Sequence, residues 1–221
     1  MKSYTKMNSG TYNLVAKNYQ AEHTEKIEWE NELIKFLHYV GKDNTRVVDL
    51  GCGPGTESLW FSDHISKGAV YAVDIAEQML SVFARIPKNL HTIVADMVSY
   101  QPNEKIDGIW ARASIHHLTK AESAELFASI KKYLKPSGVL FMINKYGSTE
   151  EIEKKNKYAQ VVKRYFQYFD ENRVEHLANG NDFTVKEQYI VENDHKWLIS
   201  VLVNNYYPET MHADSEVKLD Q

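Results

Sequence analysis

Val47-Val48-Asp49-Leu50-Gly51-Cys52-Gly53-Pro54-Gly55 joins a short apolar run to a glycine-rich loop, and a helical pattern follows to about Ser66. An apolar run of that length reads as a buried strand, and the glycines let the backbone turn tightly and approach a ligand without Cβ clashes. The run is repeated along the chain. Ala69–Val73, Leu90–Ala95, Ile106–Ala111 and Val139–Asn144 are further strand-like runs, with helical patterns from the second run through Arg85 and from Lys120 to Leu134. Strands alternating with helices are the signature of a parallel sheet covered on both faces. Ligands of such sheets bind beyond the carboxyl ends of the strands, where this glycine loop lies.

The acids flanking the loop decide what it holds. A dinucleotide fingerprint wants GxGxxG, whereas here the third glycine falls one place early and Thr56 takes its position. Asp49 precedes the loop and Glu57 follows it, and carboxylates crowding a pyrophosphate repel it. The same acids suit a ligand carrying an ammonium and a sulfonium, which favours S-adenosylmethionine over a nicotinamide dinucleotide. Asp74 ends the second run, 23 residues after Gly51, where a carboxylate can accept from ribose hydroxyls. Asp96 ends the third, within reach of an adenine amino group, and Ile75, Met79 and Met97 are placed to pack on the base. Any one of these acids alone could be a helix N-cap, but three in register with a glycine loop point to a ligand.

These residues resemble class I S-adenosylmethionine-dependent methyltransferases of the small-molecule branch. The resemblance rests on Val47–Gly55, Val70–Asp74, Ala95-Asp96-Met97, Lys105–Leu118 and Leu134–Leu140, and covers about residues 46–145. In the last of these, Ser137 replaces the glycine of the usual Leu-Lys-Pro-Gly-Gly turn, a harmless change if its φ is negative. The resemblance implies a Rossmann-like α/β three-layer sandwich with a seven-stranded, mostly parallel sheet and an antiparallel last strand. It also implies release of S-adenosylhomocysteine and a cofactor site of Tyr19, Asp49, Gly51, Cys52, Gly53, Gly55, Asp74, Ile75, Met79, Asp96, Met97 and Arg112. Tyr12 through Tyr19 looks like the Tyr-x-x-x-Ala-x-x-Tyr cap of small-molecule members, which folds over the cofactor. Arg112 could instead meet an acceptor carboxylate or phosphate, or form an outward salt bridge.

Methyl transfer is an in-line displacement on a cationic donor, so positioning and water exclusion supply much of the rate. His116 and His117 follow the fourth strand and are candidate general bases for a hydroxyl acceptor, or merely hold the loop. Residues 148–169 are helical in pattern and rich in aromatics, so a helical substrate cover over 146–180 is expected, with Tyr12, Tyr146, Tyr158 and Tyr165 as acceptor-binding candidates. Residues 1–41 form an N-terminal helical cap in this reading, 1–203 a single domain and 204–221 a polar tail. Phe183–Val191 and Lys196–Val203 are joined by so short a link that they pair as an antiparallel hairpin.

Composition excludes several alternatives. In 221 residues, 26 Lys and Arg against 30 Asp and Glu give a net charge of −4, without the basic excess that nucleic acid or an anionic membrane surface needs. The single cysteine, Cys52, rules out an internal disulfide, and no metal site is expected because no ligand-spaced cluster exists beyond the His pair. The polar start argues against a signal peptide, and no apolar run approaches the ~20 residues of a membrane span, so a cytoplasmic monomer or homodimer acting on a small molecule is expected. A nicotinamide-dependent oxidoreductase, or a catalytically silent cofactor-binding subunit, remains as the alternative.

Overall fold

Val47, Val48 and Leu50 of β1 (Arg46–Leu50) are completely buried, because the strand lies at the middle of a sheet covered on both faces. The computed structural model describes residues 3–23, 27–193 and 195–207. Before β1 come α1 (Ser3–His23) and α2 (Glu30–Val40). After it come α3 (Thr56–His64), β2 (Ala69–Asp74), α4 (Glu77–Ser81), β3 (Leu90–Val94) and β4 (Ile106–Arg112). A 3-10 turn at Ile115–His117 leads to α5 (Lys120–Tyr133) and β5 (Leu134–Lys145). The chain ends with β6 (Glu150–Lys157), β7 (Gln160–Gln167), α6 (Glu171–Asn179), β8 (Phe183–Glu192) and β9 (Lys196–Asn204).

Seven strands form one sheet in the order β3-β2-β1-β4-β5-β9-β8. β1 to β5 run parallel, and β9 is antiparallel to both of its neighbours. This is the doubly wound α/β sheet with an antiparallel last strand that the sequence led us to expect. Strand alternation divides the core in two. Val48, Leu50, Ile109 and Ala111 pack with Leu126, Phe127 and Ile130 of α5 on one face. Val47, Trp110 and Phe141 meet Phe36 of α2 and Phe61 of α3 on the other. α5 begins at a capping box in which the Thr119 hydroxyl accepts from the Glu122 N–H and the Glu122 carboxylate accepts from the Thr119 N–H.

Four expectations are corrected. α2 is not part of a cap: Leu33, Phe36 and Leu37 are buried under the sheet, so only α1 stands over the strand ends. The helix after β2 stops at Ser81 instead of reaching Arg85, and the next turn brings the Phe83 ring against Gly55. Ser137 has φ +62, so the serine occupies the left-handed region that glycine tolerates and that costs other residues about 1–2 kcal/mol. Around it, Leu134 pairs with Ile106 and the intervening residues bulge from β5 before Val139 pairs with Gly108.

The fourth correction is the largest. Residues 148–169 are not helical but form the antiparallel pair β6–β7. Tyr158 and Ala159, at φ +56 and +58, make the tight two-residue connection that usually falls to Asn-Gly. The pair lies on α1, where the Tyr165 ring stacks on Tyr4 at 4.3 Å and Val162 is buried with Val15 and Ala16. Asn8 ties the two together, its amide donating to the Tyr165 carbonyl (3.2 Å) and accepting from the Tyr165 N–H (2.8 Å). The cover over the strand ends is therefore α1 backed by a hairpin. Asn204, the first residue of the expected tail, still pairs with Phe183 in the sheet; Asn205 to Tyr207 follow it, and 208–221 lie outside the described residues.

Candidate active site

The turn after β1 is held down by its neighbour. The N–H groups of Gly51 and Cys52 donate to the Val73 carbonyl, and the Gly53 N–H donates to Asp74 Oδ2 at 2.9 Å. Gly51, Gly53 and Gly55 all have positive φ, but they differ in what surrounds them. A Cβ on Gly51 would lie 2.4 Å from the Ser114 Cβ, and one on Gly55 would lie 2.1 Å from the Phe83 ring. A Cβ on Gly53 would meet nothing within 4 Å. Two glycines thus serve internal packing, and the third leaves backbone open to a cleft of about 920 Å³ including its mouth.

Acids line one half of this cleft. Asp49 is buried and accepts from the Ser58 hydroxyl, and burial together with the neighbouring Glu57 pushes its carboxyl up to about 8. Glu57 forms an ion pair with Arg112 at 2.5 Å. Burial also raises Asp74, opposed by the N–H groups of Ala76 and Gly53 that bond its two oxygens. Asp96 Oδ1 accepts from the Val98 N–H, which closes the turn after β3. Ile75, Met79 and Met97 supply apolar lining between Asp74 and Asp96, and Tyr19 and Cys52 line the same cleft. Gly55 is the one expected cofactor-site residue that does not line it, being covered by Phe83.

The other half lies under α1. His117 lines the cleft and His116 does not. His117 Nδ1 faces the Tyr165 carbonyl at 2.8 Å and so carries the proton, which leaves Nε2 to accept from the Tyr12 hydroxyl at 2.7 Å. Burial depresses His117 to about 4, so its ring is neutral at pH 7. His116 is 1% exposed, packs on Phe166 and accepts the Lys145 N–H at Nδ1. It is a structural histidine and is withdrawn as a candidate base.

Three acceptor candidates stand outside the cleft. Tyr146 packs against the apolar cluster around α5 and α6, Tyr158 bonds Glu22 at the hairpin tip, and the Tyr165 hydroxyl donates to Glu150. None of the three lines the cleft, whereas Tyr12 does. Thr5, Asn8, Ser9 and Ser114 line it without having been foreseen. Ser114 lay inside a segment already singled out, but its neighbours there drew attention by charge. The polar residues at the start of α1 carried no signal.

Residues 47–138 match the family model described as methyltransferase domain. That stretch, from β1 to the bulge of β5, is similar to a methyltransferase domain. The fold superposes on solved structures at low identity. The 1,6-didemethyltoxoflavin-N1-methyltransferase of Burkholderia thailandensis, solved with 1,6-didemethyltoxoflavin and S-adenosylhomocysteine, matches with TM-score 0.70 and 16% identity over 90% of this chain and 87% of that one. An S-adenosylmethionine-dependent methyltransferase of Clostridium acetobutylicum matches with TM-score 0.67 and 14% identity over 88% and 99%. Among curated proteins, the trans-aconitate 2-methyltransferase of Azoarcus sp. is 31% identical over 98 residues, which is 44% of this chain and 38% of that protein. The chain spans about two-fifths of the length of the curated relatives it matches. Among the described residues, no group of three His, Cys, Asp or Glu side chains is placed to hold a metal ion, and no helix is long and apolar enough to cross a membrane.

Proposed function

We propose that the cleft binds S-adenosylmethionine and that the protein transfers its methyl group to an oxygen or nitrogen of a small organic acceptor. The observation that carries this reading is the open backbone at Gly53 ringed by Asp49, Glu57, Asp74 and Asp96. Those acids suit the ammonium, sulfonium, ribose and adenine amino groups of that cofactor, and they oppose the pyrophosphate of a nicotinamide dinucleotide. When bound, the cofactor supplies a methyl group on a cationic sulfur that leaves as a neutral thioether. The remaining work belongs to the chain: α1 and the hairpin exclude water, and Tyr12 and His117 face the acceptor half. Where the acceptor is protonated, Tyr12 Oη takes its proton while passing its own to His117 Nε2. The imidazole is free to receive it, because it is unprotonated at every pH well above about 4.

The acid cluster makes a measurable prediction. With its carboxyl held up to about 8, Asp49 is mostly protonated at pH 7 and ionises when an ammonium arrives beside it. Binding of S-adenosylmethionine at pH 7 then releases close to one proton, and affinity rises with pH until about pH 8. Calorimetric titration in phosphate and in Tris, whose ionisation heats differ, reads this as unequal apparent enthalpies. Equal enthalpies in the two buffers would contradict the role given to Asp49.

A further inference from the structure

The two halves of the cleft differ in charge. Past Gly51, the lining of Thr5, Asn8, Ser9, Tyr12, His117 and Leu118 carries no formal charge at neutral pH. Arg112, at the boundary, is spent on Glu57. Arg164, the cation nearest to the Tyr12 hydroxyl at 3.5 Å, is held by Glu153. Among the described residues lining this half, no unpaired cation is present to receive an anionic acceptor.

Ser114 supplies the second observation. It is 4% exposed, lines the cleft, and its hydroxyl has no partner. A buried hydroxyl left without a partner is costly unless something completes it. The backbone forces it into that place. Ala113 adopts φ +52, strained for a residue with a side chain, and its N–H is anchored to the Ile143 carbonyl. The Ser114 carbonyl then accepts from the His117 N–H, so the serine and the histidine are fixed relative to each other. Several polar groups nearby are already engaged. Asn8 holds Tyr165 and the His117 carbonyl, and the Thr5 hydroxyl donates to Glu122. Tyr12 donates to His117 and accepts from Arg164 at 3.5 Å, which leaves one oxygen lone pair.

We infer that the methyl acceptor is an uncharged molecule bearing a hydroxyl or a ring nitrogen, held by Ser114 Oγ and Tyr12 Oη, with Ser114 as its specificity-determining residue. This rests on the proposed methyl-transfer function. A carboxylate acceptor would enter a half-cleft whose nearby cations, Arg112 and Arg164, are already paired with Glu57 and Glu153.

The test uses the full chain saturated with S-adenosylhomocysteine and titrated at pH 7 with phenol, 2-pyridone, benzoate and citrate. Phenol and 2-pyridone are expected to bind at least tenfold more tightly than the two anions. Ser114→Ala, itself saturated with S-adenosylhomocysteine, is expected to weaken both uncharged probes about 3- to 10-fold while leaving the melting temperature unchanged. Ser114→Cys, close in size but a poor hydrogen-bonding group, gives the same loss if the alanine variant does not fold. Anions binding as tightly as the uncharged probes, no binding of either uncharged probe, or equal affinities in wild type and variant would each overturn the inference. Failure of S-adenosylhomocysteine itself to bind the wild type would instead remove the functional reading beneath it.

Discussion

Asp74→Ala lowers affinity for S-adenosylmethionine about tenfold or more. The carboxylate stands at the end of β2 with Oδ2 on the Gly53 N–H and Oδ1 on the Ala76 N–H, and it lines the cleft beside Ile75. It therefore has two tasks, fixing the open glycine and offering its remaining lone pairs to the ligand's ribose. Losing hydrogen bonds to a charged group costs about 1.5–3 kcal/mol, and each ~1.4 kcal/mol is a factor of ten in affinity. Titration calorimetry on wild type and variant, paired with thermal denaturation, separates the two tasks. A lower melting temperature with unchanged affinity would reduce Asp74 to a cap that happens to lie at a strand end.

Gly53→Ala abolishes most binding while the protein still folds. The added Cβ meets no protein atom within 4 Å, so the internal cost is confined to φ +54, about 1–2 kcal/mol for a residue with a side chain. In a chain of this size that lowers the melting temperature by roughly 2–8 °C. The new methyl group projects into the space where the ligand's backbone contact is made. Overpacking of about 1–3 kcal/mol there weakens binding by roughly five- to hundredfold. The control is Gly55→Ala, whose Cβ would sit 2.1 Å from the Phe83 ring, so that variant loses stability rather than affinity alone. If Gly53→Ala bound the cofactor as well as wild type, the ligand would lie elsewhere.

The cofactor half was legible because its chemistry is written in short, contiguous stretches. Asp49, Gly51, Gly53 and Asp74 sit at or beside the ends of β1 and β2, which are short apolar runs, and Asp96 follows the more exposed edge strand β3. Cys52 also behaves as a small buried side chain there, with its thiol pushed up by burial and unsuited to nucleophilic work. The acceptor half is assembled from distant segments and was read less well. Glu150 to Gln167 mixes charges with aromatics at spacings that mimic a helix face, and Tyr158-Ala159 lacks the Asn-Gly signature of its own turn. The hairpin carries Tyr158 and Tyr165 away from the cleft, and Tyr146 packs instead against the apolar cluster around α5 and α6. His116 and His117 are neighbours in sequence, but a 3-10 turn aims their rings differently, and only the three-dimensional fold separates core from cleft. Ser114 stands out because its hydroxyl has no partner, a property that no sequence pattern carries.

The central claim is that the acid-ringed glycine loop holds S-adenosylmethionine. Isothermal titration of the full chain with S-adenosylmethionine, S-adenosylhomocysteine and NADH tests it most directly. The account predicts one-to-one binding of both adenosyl-sulfur ligands and no heat of binding with NADH. Binding of NADH with neither of the others would contradict it.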